Sequence, residues 1–227
     1  MTAVRQRLED GLLGRTLASL SAAGFDAPRL FVDGDRDGHE WTRLGCEVTF
    51  RCPAVRTFGA WWLAAVELYL REPHADRYAV FQDDMVACRN LRSYLEMSTY
   101  PERAYLNLFT DPSNTRDAVG WSESATLGDC VSQGGRGAVA LVFSNEALRT
   151  LLSHKHFVDR PLDLDRGHRA VDGGIVTAMN KAGWREHIHN PSLVQHTGDV
   201  SSMGNMPHIP APSFPGESFD ATTLRGS

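Results

Sequence analysis

Four short, continuously apolar runs, separated by helix-length segments, restrict the fold of this chain more than any other feature. The runs are RLFVD (29–33), YAVFQ (78–82), AYLNLFT (104–110) and AVALVFS (138–144). A strand with one wet face alternates apolar and polar residues. Runs this continuous need cover on both faces, as in a parallel sheet packed between helices. The intervening segments supply that cover. Residues 6–23 place Leu8, Leu12, Leu13, Leu17 and Leu20 at helical spacing, with Gly24 as the stop. Residues 57–72, 145–153 and 172–183 read as further helices, and 186–196 as extended chain. The alternation predicts an α/β, Rossmann-like fold with a mostly parallel central sheet and helices on both faces. It predicts one domain over 1–204, followed by an irregular tail over 205–227, which is rich in Pro, Ser and Gly.

Composition narrows the function classes. The 227 residues include 42% hydrophobic and 22% charged side chains, as in ordinary globular proteins. A formal charge of −5 leaves no global basic field to attract nucleic acid. The apolar stretch from Trp61 to Leu70 is broken by Glu67 and is too short to span a bilayer. The opening MTAVRQRLED has no apolar signal core, and the four cysteines show no CxxC spacing. Reduced cysteines and a cytoplasmic location are the expectation.

The run YAVFQ ends in Gln82, Asp83 and Asp84 before apolar residues resume at Met85. Adjacent carboxylates at the end of a buried strand repel each other and are costly to desolvate. A hard divalent ion, Mg²⁺ or Mn²⁺, resolves both problems and leaves coordination positions for substrate phosphates. A polar turn in water is the simpler alternative. In sheets of this kind ligands sit at the carboxyl ends of strands, where Asp33 also falls.

VFQDDMV resembles the DxD-type motif of metal-dependent glycosyltransferases with the GT-A fold. PSLVQHTGDVSSMGN (191–205) resembles a C-terminal segment of that class, most closely in the N-acetylglucosaminyltransferase type four family. RTLASLSAAGFDAPRLFVDGD is similar to the opening helix and second strand of such enzymes, and GAVALVFSNEALRTLL to their later strand–helix unit. The resemblance implies a GT-A-like domain that uses a UDP-sugar. It implies that Asp84 binds the metal, that Asp83 and Gln82 contact the ribose or the metal's water shell, and that His196 contacts the metal directly or through water. It also implies that Asp33 approaches the uracil ring and that Arg7, with Arg5 close behind, contacts the nucleotide. Only residues 1–4 precede these arginines to supply the first strand.

Transfer to a hydroxyl needs a proton acceptor, and a positioned carboxylate serves. Asp172 opens DGGIVTAMNKAG, where two glycines leave room for an acceptor. Enzymes of the resembled class with inverting chemistry hold their base in a comparable place. A helix N-cap is the other reading of Asp172. The loop Ser132–Gly137 suits either an acceptor-side role or a plain connection.

Three further signals are set aside. Asp33-x-Asp35-x-Asp37-Gly38 begins like a calcium loop but has Leu44 where the bidentate glutamate belongs. The pairs His154/His156 and His187/His189 lack partners for zinc. Trp61, Trp62, Tyr69 and Trp121 read as packing residues.

The expected activity is therefore a Mn²⁺- or Mg²⁺-dependent, inverting transfer of a sugar from a UDP-sugar to a hydroxyl of a glycan, protein, small molecule or modified DNA base. A nucleotidyltransferase and a non-catalytic nucleotide-sugar binder are the alternatives. The first of these is disfavoured by an N-terminal segment without lysine.

Overall fold

The computed structural model describes residues 1–36, 38–124, 137–159, 171–198 and 209–224. The fold is α/β with helices on both faces, Rossmann-like as expected, but the expected mostly parallel pairing holds for a three-stranded sheet and not for the larger five-stranded one, where only one of four pairings is parallel. Strands β1 (Thr2–Ala3), β2 (Leu30–Asp33) and β3 (Val48–Arg51) form a three-stranded sheet in the order β1-β2-β3, parallel throughout. β4 (Arg77–Phe81), β6 (Ala104–Asn107), β7 (Gly120–Glu123), β8 (Ala140–Ser144) and β9 (Arg185–Asn190) form a five-stranded sheet in the order β4-β8-β6-β9-β7. There β6 and β9 are parallel, and the other pairings are antiparallel. β5 (Met85–Ala87) leaves the end of β4 and pairs antiparallel with β10 (Val194–His196).

The continuous apolar runs are explained by the two faces of the five-stranded sheet. Phe81, Leu106, Ala140 and Val142 point into one core cluster, while Tyr78, Val80, Tyr105, Leu141 and Phe143 point into another. Successive side chains of a strand face opposite sides, so each run fills both cores. The second core is closed by α4 (Arg56–Arg71), α6 (Asn145–Ser153), α7 (Lys155–Val158) and α8 (Val171–Lys181), through Phe58, Trp61, Leu148, Phe157 and Ile175. Trp61 meets Phe143 and Phe157 edge-on, which makes it a packing residue as expected. The first core is covered by α2 (Leu12–Ala22) and α5 (Leu91–Met97) and by Ala211 and Ala221 of the C-terminal segment.

Residues 6–23 do not form one helix. α1 (Arg5–Glu9) and α2 are separated by Gly11, which is left-handed at φ 81°. Glycine adopts that conformation without a side-chain clash. The break gives α1 a direction of its own, and α1 carries Arg7.

Described residues 209–224 lie against the domain. Gln195 exchanges two hydrogen bonds with the Ala211 backbone, Arg15 pairs with Glu217, and Asn90 and Arg89 hold Asp220. Cys46, Cys52 and Cys88 are free thiols. Among the described residues, no helix is long and apolar enough to cross a membrane.

Candidate functional site

The acidic tip is formed where β4 ends and β5 turns away. Asp83 and Asp84 are buried, at 9% and 6% exposure. The side-chain hydroxyls of α2 prepare the turn. Thr16 Oγ1 donates to the Asp83 carbonyl and accepts from Met85 N, both at 3.1 Å, and Ser19 Oγ accepts from Ala87 N at 2.9 Å. These hydroxyls serve the edge of β5 opposite β10, in place of another strand. Thr16 was not singled out in the sequence. Its signal is a polar side chain between the buried positions Leu13 and Leu20 of α2.

The two carboxylates face different partners. Asp83 Oδ2 accepts the Val4 amide at 2.8 Å, so the residue following β1 is tied to the tip. Burial, and secondarily the charge of Asp84, push the Asp83 carboxyl up to about 7. Asp84 Oδ2 accepts from Arg7 Nη2 at 2.7 Å, and Arg7 Nη1 donates to Asp10 at 3.2 Å. Arg7 is only 2% exposed, so this is a buried ion pair. His196 reaches the same carboxylate from the opposite strand. The β5–β10 register sets His196 against Met85, and Thr197 N donates to the Asp84 carbonyl at 2.8 Å. His196 Nε2 then lies 3.3 Å from Asp84 Oδ1. That oxygen receives no hydrogen bond from a described residue.

Gly198 sets the histidine tautomer. Its amide donates to His196 Nδ1 at 3.2 Å, which leaves the proton of a neutral ring on Nε2, facing Asp84. In that state Nε2 is a donor, and direct ligation of a metal through it requires the Gly198 bond to open. Glycine is also a steric requirement here, because an added Cβ would lie 2.7 Å from Asp84 Oδ2 and 2.9 Å from Arg7 Nη2.

The sequence candidates thus divide. Arg7, Asp83, Asp84 and His196 are brought together. Gln82 is adjacent, its backbone N–H donating to the Val139 carbonyl at 2.8 Å. Asp172 joins the same sheet end indirectly. Its Oδ2 accepts the Gly137 amide at 3.1 Å, and its Oδ1 accepts from Gly173 N at 2.9 Å. Gly137 and Val139 are two residues apart, a reach of about 7 Å at most, so Asp172 and Gln82 bracket one short segment. Asp172 is the second residue of α8.

Asp33 is engaged elsewhere. Both of its oxygens accept backbone amides at the start of α4, from Val55 at 2.8 Å and Arg56 at 2.9 Å. Arg5 points away from the tip and pairs with Asp35 at 2.7 Å. Asp35 also accepts from Trp41 Nε1 at 2.9 Å, so that acid is committed within the loop once compared with a calcium site. His189 donates from Nδ1 to the Pro191 carbonyl and accepts the Tyr94 hydroxyl at Nε2, which uses both ring nitrogens. The loop 132–136, Asp37, Asp199 and the SSMGN end of the 191–205 motif fall outside the described residues.

Among the described residues, no group of three or more acidic, histidine or cysteine side chains is arranged to hold a metal ion. Among the described residues, Asp84 and His196 therefore form at most a two-residue donor set. A cavity of about 340 Å³ lined by Arg77, Arg92 and Tyr100 shares no lining residue with Arg7, Asp83, Asp84 or His196.

No family model and no curated protein matches this sequence. Among solved structures, a mannose-1-phosphate geranyltransferase from Thermus thermophilus is similar over 78% of this chain, at 16% identity and a TM-score of 0.43. The chain spans 63% of that protein's length. A likeness of that degree carries no argument about substrate or chemistry.

Proposed function

We propose that this chain is a glycosyltransferase that takes a sugar from a UDP-sugar and passes it to an acceptor hydroxyl. One observation carries the reading. A buried acid at the carboxyl end of β4 is met by Arg7 from 77 positions upstream and by His196 from β10. Buried charge of this density is costly unless it is paired, and it clusters where function needs it.

The donor set fits a hard divalent ion in part. Asp84 Oδ1 is an oxygen without a hydrogen bond from a described residue, but the neutral His196 ring presents a donor, not a ligand, toward it. Mn²⁺ or Mg²⁺ bound there would supply charge neutralisation to a departing diphosphate. The residues of the chain do the rest. Thr16 and the Val4 amide hold the acidic turn in place, and Arg7 orients Asp84 through Oδ2. Asp172, kept by two backbone amides at the start of α8, accepts the proton of the attacking hydroxyl.

The test is UDP release from a panel of UDP-sugars with Mn²⁺, repeated with Asp84→Asn. Turnover that disappears in a folded Asp84→Asn variant supports the reading; undiminished turnover removes Asp84 from it. Tight UDP binding without transfer or hydrolysis for any sugar would instead favour a nucleotide-sugar binder.

A further inference from the structure

We propose that the cavity of about 340 Å³ beside the outer edge of β4 is a binding site for a small organic carboxylate with an apolar body. The topology makes the space. β1 is an edge strand of the three-stranded sheet and β4 an edge strand of the five-stranded one, and the two lie in separate sheets. Met1, next to β1, and Ala79 and Phe81, on β4, line the cavity between those edges.

Phe25, Leu68, Phe81, Leu95 and Val142 give the cavity apolar walls. Most of its charged lining groups are answered within the protein. Arg92 pairs with Glu96 at 2.8 Å, Arg29 pairs with Glu47, and Asp26 accepts from the Ser21 hydroxyl at 2.9 Å. Arg77 differs, because it meets no carboxylate among the described residues. Its Nη1 donates to the Leu95 carbonyl at 2.7 Å, and its Cζ stands 3.3 Å from the centre of the Tyr100 ring. Those contacts hold the guanidinium in place without neutralising it, and they leave Nε and Nη2 to donate. The Tyr100 hydroxyl is buried and makes no hydrogen bond to a described residue, which adds a donor in the same wall.

A guanidinium held in this way matches a carboxylate with two parallel hydrogen bonds. Apolar walls beside it select an anion that carries an apolar body, and the volume lies in the range of small-molecule sites. Asp26 and Glu96 line the same cavity, so a group with two or more negative charges is repelled where a single charge is accepted.

Calorimetry with hydrocinnamate, its neutral analogue hydrocinnamyl alcohol and phenyl phosphate tests the site. The proteins are wild type, Arg77→Gln and Ala79→Leu, the last filling the cavity. Wild type is expected to bind hydrocinnamate saturably and the alcohol more weakly. Arg77→Gln should lose about tenfold or more in affinity for the acid, the worth of a hydrogen-bonded charge, with the alcohol unchanged. Ala79→Leu should lose both. No saturable binding of hydrocinnamate by wild type overturns the proposal, as does unchanged affinity for it in Arg77→Gln or in Ala79→Leu. Phenyl phosphate bound more tightly than hydrocinnamate overturns the carboxylate assignment. Arg77 is exposed, so Arg77→Gln spares the core and decides the matter if Ala79→Leu does not fold. Arg7, Asp84 and Asp172 do not line this cavity, so each outcome leaves the glycosyltransferase reading where it stands.

Discussion

Gly198 closes on Asp84: a Cβ at that glycine would stand 2.7 Å from Asp84 Oδ2, closer than side-chain carbons approach oxygen in folded proteins. The same Cβ would lie 2.9 Å from Arg7 Nη2 and 3.0 Å from His196 Cε1. Each of these groups is buried and bonded, so none yields freely. Gly198→Ala is expected to cost about 1–3 kcal/mol, in the range of other overpacking substitutions. Urea denaturation measures it. An unchanged midpoint would mean that the 197–198 turn does not press on the ion pair.

Asp172 is expected to separate catalysis from folding. Its oxygens accept the Gly137 and Gly173 amides, and an asparagine oxygen can still accept one of them. Asp172→Asn should keep the melting temperature within a few degrees while transfer falls by about 10²-fold or more, the usual contribution of a general base. A variant that transfers at the wild-type rate would reduce Asp172 to a helix-start residue.

Asp33 should behave as a structural residue. Both oxygens hold the backbone at the start of α4, whose own preceding residue, Val55, offers no side-chain cap. Asp33→Ala is expected to lower stability by about 1–2 kcal/mol, as loss of a helix cap does. Affinity for UDP should change little, and calorimetry on the folded variant checks that. A large loss of affinity at unchanged stability would return Asp33 to the uracil pocket.

Acid should weaken the fold through His189. Burial holds the pKa of this imidazole below its ordinary value of 6.5, with the Pro191 carbonyl opposing the shift in part. The unfolded chain therefore binds more protons than the folded one as pH falls through 6.5 toward the folded-state pKa. Stability is fully present above that window and is lost on the way down. His187 is shifted the same way and adds to the slope. Asp83, raised to about 7, acts with the opposite sign in this window, and the Met1 amine, lowered to about 5, with the same sign. The His189 contribution is therefore read as a difference: chemical denaturation between pH 5 and 8 should show His189→Gln losing less stability toward acid than wild type. A profile unaltered by the substitution would remove His189 as a source.

The α/β class was legible because continuous apolar runs are a local property. YAVF and ALVF each send alternate residues into two cores, and no distant information is needed to see that both faces must be covered. The helices over 56–71 and 145–153 were legible from their periodicity. β5 was not, β1 was expected only by resemblance, and β10 was read only as part of one extended run over 186–196, because strands of two or three residues carry no periodicity. They exist only through pairing with β2 and with each other. The break at Gly11 was hidden for a related reason. Leucine spacing continues across it, and only the need to aim α1 at the tip distinguishes two helices from one.

The acidic pair and its place at a strand end were determined by the sequence alone, since charge and the end of an apolar run are both written locally. Which group answers each acid was decided by tertiary structure. Arg7 and Asp84 are 77 positions apart, and Val4 and Asp83 are 79 apart. Neither partnership has a local signature, because a buried carboxylate selects its donor by distance in space. That distance is set only when β4, α1 and β10 have packed.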